Sequence, residues 1–188
     1  MIKKIGVTST ITSDAGEIAN ATKLILPGVG AFGRGMKNLK SQGLIEVLNE
    51  KVMVQKTPIL GICLGMQLMT NHSEEGDTNG LGWVNSKTTK FNKSMLPNHL
   101  KVPHMGWTDV EVKSNHQLFA GAKTDLRYYF VHSYHVVCDN ETNIMATSRY
   151  GFEFCCAIVQ DNILGVQFHP EKSHQYGMQL LTNFKNNY

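Results

Sequence analysis

No apolar run in this chain reaches 18 residues, so the sequence offers no membrane-spanning helix. The opening Met1-Ile2-Lys3-Lys4-Ile5-Gly6 lacks the apolar stretch of a secretory signal. Basic residues stand side by side only at Lys3-Lys4, and the formal charge of +3 is scattered, which excludes a nucleic-acid footprint. None of the four cysteines (Cys63, Cys138, Cys155, Cys156) forms a C-x-x-C pair. With no signal peptide, a reducing cytoplasm is the expected setting. No histidine or cysteine pair has ligand spacing, which disfavours a zinc site, and no cofactor or other metal is called for. Internal repeats and low-complexity linkers are also missing.

What is present suits one domain with a substantial core: 188 residues, 41% apolar and 18% charged. Over residues 1–80 short apolar runs alternate with helical spacing. Lys23-Leu24-Ile25-Leu26-Pro27 reads as a buried strand ending in glycines, and Pro58-Ile59-Leu60-Gly61-Ile62-Cys63 as a second. Met36, Leu39, Leu44, Val47 and Leu48 predict a helix over residues 36–53, with Gly43 its weak point. A further helical pattern covers residues 64–71. Strand–helix–strand–helix at this spacing predicts parallel strands covered by helices.

Residues 81–170 are richer in strand patterns, at 128–131, 134–137, 155–159 and 163–168. Adjacent Cys155 and Cys156 read as buried strand, and Asp161-Asn162 as a tight hairpin turn. A helix is predicted over residues 176–184. The expected fold class is α/β, a mostly parallel central sheet with flanking helices plus an antiparallel β portion. At the start of the chain, Ile2 to Gly6 reads as the last turn of a helix with its terminal glycine, followed by a β-rich segment over residues 7–12. A helix end with no helix before it suggests a single domain, 1–188, that is truncated at its N-terminus.

The strongest chemical signal is Gly61-Ile62-Cys63-Leu64-Gly65-Met66-Gln67. It has the G-x-nucleophile-x-G form of a nucleophile elbow, with cysteine as the nucleophile, and lies between a strand and a helix. So tight a turn strains the backbone at Cys63 and leaves no room for side chains at 61 and 65. It sets the sulfur at a helix N-terminus, where the dipole favours thiolate over thiol. The Leu64 N–H is aimed where an oxyanion would form.

A cysteine nucleophile needs a base and a group to orient it. Gln167-Phe168-His169-Pro170-Glu171 supplies both. His169 sits at a strand end, where parallel-sheet sites are built, and Glu171 can fold back onto its far ring nitrogen. His104, His116, His132 and His135 compete for the role of base. His132 and His135 lack a carboxylate nearby in sequence. Pro27-Gly28-Val29-Gly30-Ala31-Phe32, directly after the first strand, can present N–H groups to a ligand. Lacking a following Lys-Ser or Lys-Thr it fails as a phosphate loop but fits as the second half of an oxyanion hole.

Taken together, LILPGVGAF (24–32), PILGICLGMQL (58–68), KVPHMGW (101–107), YYFVHSYHVV (128–137) and GVQFHPEKS (165–173) resemble the class I glutamine amidotransferases. Within them the resemblance is to the HisH family, glutaminase subunits of imidazole glycerol phosphate synthase, and it runs from about residue 7 to the end. It implies a triad of Cys63, His169 and Glu171. Glutamine would be held by Gly28, Val29, Gly30, Gln67, His132, Ser133 and Tyr134, and the oxyanion by the N–H groups of Leu64 and Val29.

Trp107 and Lys172 match positions near the family's partner, a (β/α)8-barrel synthase that receives ammonia and forms a heterodimer with the glutaminase. The resemblance also sharpens the expected truncation. The family opens with a strand, a D-Y-G-x-G-N loop and a helix, of which only the helix end remains, and Thr108 stands where asparagine usually follows M-G-W. Three other readings stay open. One is the same glutaminase role beside an amidino-sugar synthase for surface polysaccharides. The others are an inactive regulatory paralogue and a cysteine hydrolase of γ-glutamyl peptides.

Overall fold

A computed structural model of the chain describes residues 1–113, 116–122 and 125–188. Helix α1 (Ala15–Asn20) starts at Asp14, whose carboxylate accepts the Glu17 N–H. Strand β1 (Leu24–Gly28) follows, then α2 (Phe32–Ser41), α3 (Leu44–Asn49), β2 (Ile59–Cys63) and α4 (Leu64–Leu68). A small hairpin of β3 (His72–Ser73) and β4 (Thr78–Asn79) leads to β5 (Ser86–Lys90). The β-rich half comprises β6 (His104–Val112), β7 (Arg127–His132), β8 (Tyr134–Cys138), β9 (Ile144–Tyr150), β10 (Phe152–Gln160) and β11 (Ile163–Val166). Helix α5 (His174–Asn187) completes the set.

The sheet is ordered β1-β2-β11-β10-β8-β5-β3-β4, and β9 links β10 to an arm formed by β6 and β7. Three parallel strands form its heart. β1 lies beside β2 from Leu24↔Ile59 to Gly28↔Cys63, and β11 lies on the other side of β2 from Ile163↔Ile59 to Val166↔Ile62. The tight turn at Asp161-Asn162, with Asp161 at φ 53°, folds β11 back antiparallel on β10. From β10 outward the pairing with β8, β5 and β9 is antiparallel. The α/β expectation is met, and the antiparallel part is the larger one.

Strand periodicity explains the layers. On β2 Ile59 points into one apolar cluster and Leu60 into the other, and Ile163 and Leu164 divide the same way on β11. Both faces of these strands are therefore buried, which is why they read as continuous apolar runs. One cluster lies beneath α2, α3 and α4 through Phe32, Leu39, Leu48, Leu64 and Leu68. The other lies beneath α5 through Leu180, Leu181 and Phe184, with Phe130, Phe154 and Phe168.

Several expectations are corrected. The helix predicted over 36–53 begins at Phe32 and breaks at Gly43, which adopts φ 67° and caps α3; the chain then widens into a π-helical turn over Glu50–Val54. Helix α4 stops at Leu68 because the next backbone groups turn to bond Trp83 and Val84. β1 is half-buried, being the last strand on its side of the sheet. Residues 7–12 form no strand; they lie at the surface with no described strand beside them. Ile2–Ile5 is a single 3₁₀ turn ended by Gly6 at φ 72°.

Two glycines should respond differently to alanine. A Cβ at Gly65 would lie 1.8 Å from the Leu26 carbonyl oxygen, whereas one at Gly43 would meet nothing within 4 Å. Gly65→Ala should cost more than about 3 kcal/mol in urea unfolding. Gly43→Ala should cost only the left-handed backbone penalty of about 1–2 kcal/mol. Equal losses would contradict the packing described.

Candidate active site

The C-terminal ends of the three parallel strands meet at one edge of the sheet, where sites on such sheets form. β1 ends at Gly28, in register with Cys63 at the end of β2. Cys63 takes φ 53° and ψ −110°, a conformation L-residues rarely adopt. It is held there by close packing. A Cβ on Gly61 would come within 2.7 Å of the Met66 nitrogen, and Gly65 lies flat against β1. Both motif glycines are thus required by contacts, as the pattern predicted.

β11 runs on through Gln167 and Phe168 to His169. The His169 backbone N–H donates to the Tyr129 carbonyl, and the Ser173 hydroxyl ties His169 O to the Tyr129 N–H. The ring is almost wholly enclosed. Its Nδ1–H donates to Glu171 Oε1 at 2.6 Å. Among the described residues its Nε2 is buried with no hydrogen-bond partner. A buried ring nitrogen left open is costly unless the site employs it.

Interaction with the Cys63 sulfur is the largest influence raising the His169 pKa to about 9. The Glu171 hydrogen bond adds to it, and together they outweigh burial. On Glu171 burial pushes the carboxyl pKa up, but the His169 hydrogen bond and charge hold it below its ordinary value. An imidazolium held between the Glu171 carboxylate and the Cys63 sulfur is therefore the favoured state.

A cleft of about 300 Å³ opens over the sulfur. Val29, Gly30, Cys63, Leu64, Gln67, His132, Ser133, Tyr134 and His169 all line it. Gly28 lies behind it, in contact with Leu64 rather than on the wall. His132 does not compete for the role of base. Burial pushes its pKa down to about 3, and its Nδ1–H is committed to the Tyr134 carbonyl. Trp107 and Lys172 lie outside the cleft. Trp107 stacks on His174 at 5.6 Å, and the Lys172 ammonium sits 5.4 Å from the Tyr129 ring centre. They share a partly exposed aromatic surface with Met105 close by on β6.

Two residues of the site escaped the sequence reading. Glu75 also lines the cleft and accepts the Phe32 N–H at 2.8 Å. Nothing in Ser73-Glu74-Glu75-Gly76 marks it, because only the β3–β4 hairpin brings it there. Gln167 is fully buried and donates from Nε2 to the Cys63 sulfur at 3.7 Å. It lies within the second motif, and its place next to β2 follows from the β11 register.

A larger hollow of about 670 Å³ runs along β6 and β9 near Lys113 and Arg149, but it holds no cysteine. Among the described residues no group of three His, Cys, Asp or Glu side chains could hold a metal ion. No helix there is long and apolar enough to cross a membrane.

The fold and its strand–helix elbow define an α/β protein with a cysteine, an imidazole and a carboxylate gathered at the ends of parallel strands. Comparison with known proteins narrows this class. Residues 2–187 match the family "Glutamine amidotransferase class-I". The chain is 55% identical over 184 residues to imidazole glycerol phosphate synthase subunit HisH 2 of Methanococcus maripaludis, covering 98% of this chain and 90% of that one. It is 44% identical to HisH 2 of Pseudomonas aeruginosa with the same coverage. Among solved structures, a glutamine amidotransferase aligns with a TM-score of 0.73 at 16% identity, covering 98% and 90% of the two chains. PurLQS of Thermotoga maritima aligns at 0.62 and 17% identity, covering 87% and 79%. The chain belongs to the class I glutamine amidotransferases, and within them to the HisH family.

The His169 shift has a consequence for stability. Its pKa rises from 6.5 to about 9, so the protonated ring stabilises the fold. That contribution is full below about pH 6.5 and is lost as pH climbs through about 9. Urea unfolding from pH 6 to pH 10 should show this loss in the native chain and not in His169→Gln. Parallel curves for the two proteins would contradict the assignment.

Proposed function

We propose that the chain hydrolyses glutamine to glutamate and ammonia with Cys63 as nucleophile, His169 as acid and base, and Glu171 as the orienting carboxylate. The observation that carries this reading is the open, buried Nε2 of a His169 ring whose other nitrogen is held by Glu171 at 2.6 Å. The proton of the Cys63–His169 pair rests on His169, and the Cys63 thiolate attacks the side-chain amide carbon of glutamine. Negative charge develops on the amide oxygen, towards which the backbone N–H groups of Leu64 and Val29 would be directed. His169 gives its proton to the departing ammonia, leaving a γ-glutamyl thioester. The neutral ring then takes a proton from water, which attacks the thioester, releases glutamate and restores the thiolate.

The cleft suits the rest of the substrate. The Glu75 carboxylate is placed to take the α-ammonium group of glutamine. Gln67 and the 132–134 segment line the wall opposite the glycine loop. Ammonia leaves for a synthase subunit, for which the proposed docking face is the aromatic surface around Trp107 and Lys172. The named relatives support imidazole glycerol phosphate synthesis, in histidine biosynthesis, as the process served, with a (β/α)8 synthase as partner. Two of them are numbered as second HisH subunits, and the alternative reading is an amidino-sugar synthase as the ammonia acceptor. Four free thiols fit a cytoplasmic setting.

In a complex with its synthase subunit, Cys63→Ala and Cys63→Ser should lose glutaminase turnover by roughly a thousand-fold or more. The synthase reaction with added ammonium salts should survive both changes. Glutamine turnover near the native rate in either variant would refute the mechanism. Pairing the chain with each type of synthase in turn, and measuring glutamine-driven product, separates the two acceptors.

A further inference from the structure

Behind the cleft wall a chain of hydrogen bonds crosses the interior from β6 to the nucleophile. The Thr108 hydroxyl meets His104 Nε2 at 2.7 Å, and His104 Nδ1 meets His132 Nε2 at 3.0 Å. His132 Nδ1 meets the Tyr134 carbonyl at 2.7 Å. Gln67 Nε2 reaches the same carbonyl at 3.1 Å and the Gln167 Oε1 at 2.9 Å. Gln167 Nε2 ends the chain on the Cys63 sulfur.

Every proton in this chain has one permitted position. A carbonyl only accepts, so His132 must carry its proton on Nδ1, and Gln67 must turn its NH₂ towards Tyr134. His132 is buried and neutral, with its pKa pushed down to about 3, so its Nε2 accepts from His104 Nδ1–H. Burial likewise keeps His104 neutral, at about 4, so its Nε2 accepts and Thr108 must donate. On the other side, the Gln67 NH₂ presents a donor to Gln167 Oε1, which turns the Gln167 NH₂ to the sulfur. The plane of the His104 ring is fixed by stacking between Tyr150, at 4.1 Å, and Phe130, at 4.9 Å. All of this is more ordered than packing requires. An apolar pair of the same shape would fill the volume without leaving polar groups to satisfy.

We propose that Thr108 and His104 are positioning residues of the glutaminase site: they lock, through His132, the Tyr134 carbonyl that aims the Gln67 amide into the cleft and, through Gln167, a donor onto Cys63. Neither residue lines the cleft, and both act through groups that do. The role rests on the glutaminase reading, but the tautomers it requires do not.

The test has a spectroscopic arm and a kinetic arm. Long-range ¹H–¹⁵N correlation spectra of the native chain at neutral pH, assigned with His104→Gln and His132→Gln, should show both rings protonated on Nδ1 alone. A ring protonated on Nε2, or on both nitrogens, overturns the proposal. In the complex with the synthase subunit, Thr108→Val should raise the KM for glutamine roughly ten-fold and change kcat by less than about two-fold, with Thr108→Ser restoring both. A native KM in Thr108→Val, or failure of Thr108→Ser to restore it, overturns the proposal. If Thr108→Val does not fold, the native spectra and Thr108→Ser still decide. Failure of the glutaminase reading would show differently, as absent glutamine turnover in a native protein whose tautomers are as described.

Discussion

One strained residue organises the rest of the molecule. Cys63 is held at φ 53° and ψ −110° because the chain must leave β2 and enter α4 within a single residue. Such a conformation costs on the order of 1–3 kcal/mol and survives only where its surroundings over-determine it. Here they do. Gly65 lies against the Leu26 carbonyl, Gly61 against the start of α4, and Gly165 against Met66 and Ile158. The parallel strands must come this close for the elbow to exist. Their closeness is also what sets Gly28, Cys63 and Gln167 side by side.

The second constraint is polar. The site and the network behind it bury three histidines (His104, His132 and His169), two glutamines and the Cys63 sulfur next to an apolar core, and each buried polar group needs a partner. Tyr134 O supplies the reference point, since a carbonyl has no proton to give and every neighbour must orient towards it. His169 differs from the others in that one nitrogen is held by Glu171 while the other is left open. His169 lines the cleft together with Cys63, so its open nitrogen marks where the proposed chemistry takes place. The same contrast separates the rings electrostatically. His104 and His132 are neutral through burial, whereas His169 is charged through its sulfur and carboxylate neighbours.

Much of the site was legible in the sequence, because the elbow and the histidine motif are short segments whose geometry is locally determined. The strands next to them were legible because both faces are buried and the apolar runs are unbroken. What escaped has physical reasons. β6 points Met105 and Trp107 outward and His104 inward, the reverse of a soluble strand's usual pattern, so no alternation reveals it. α1 buries only Ile18 and shows no period. Residues 7–12 have the composition of a strand but no described neighbour to pair with. Gly43 was read as a weak point and proved to be a full break. Glu75 and Thr108 reach their places through tertiary contacts alone, and spacing along the chain cannot show those.

The central claim is that the Cys63 sulfur is the atom that becomes acylated, and chemical trapping tests it most directly. The chain in its synthase complex would be incubated with a chloroketone analogue of glutamine, digested, and mapped by mass spectrometry. The account predicts a single adduct, on Cys63, suppressed by excess glutamine and lost in His169→Gln. An adduct on Cys138, Cys155 or Cys156, or labelling of Cys63 that glutamine does not protect, would contradict it.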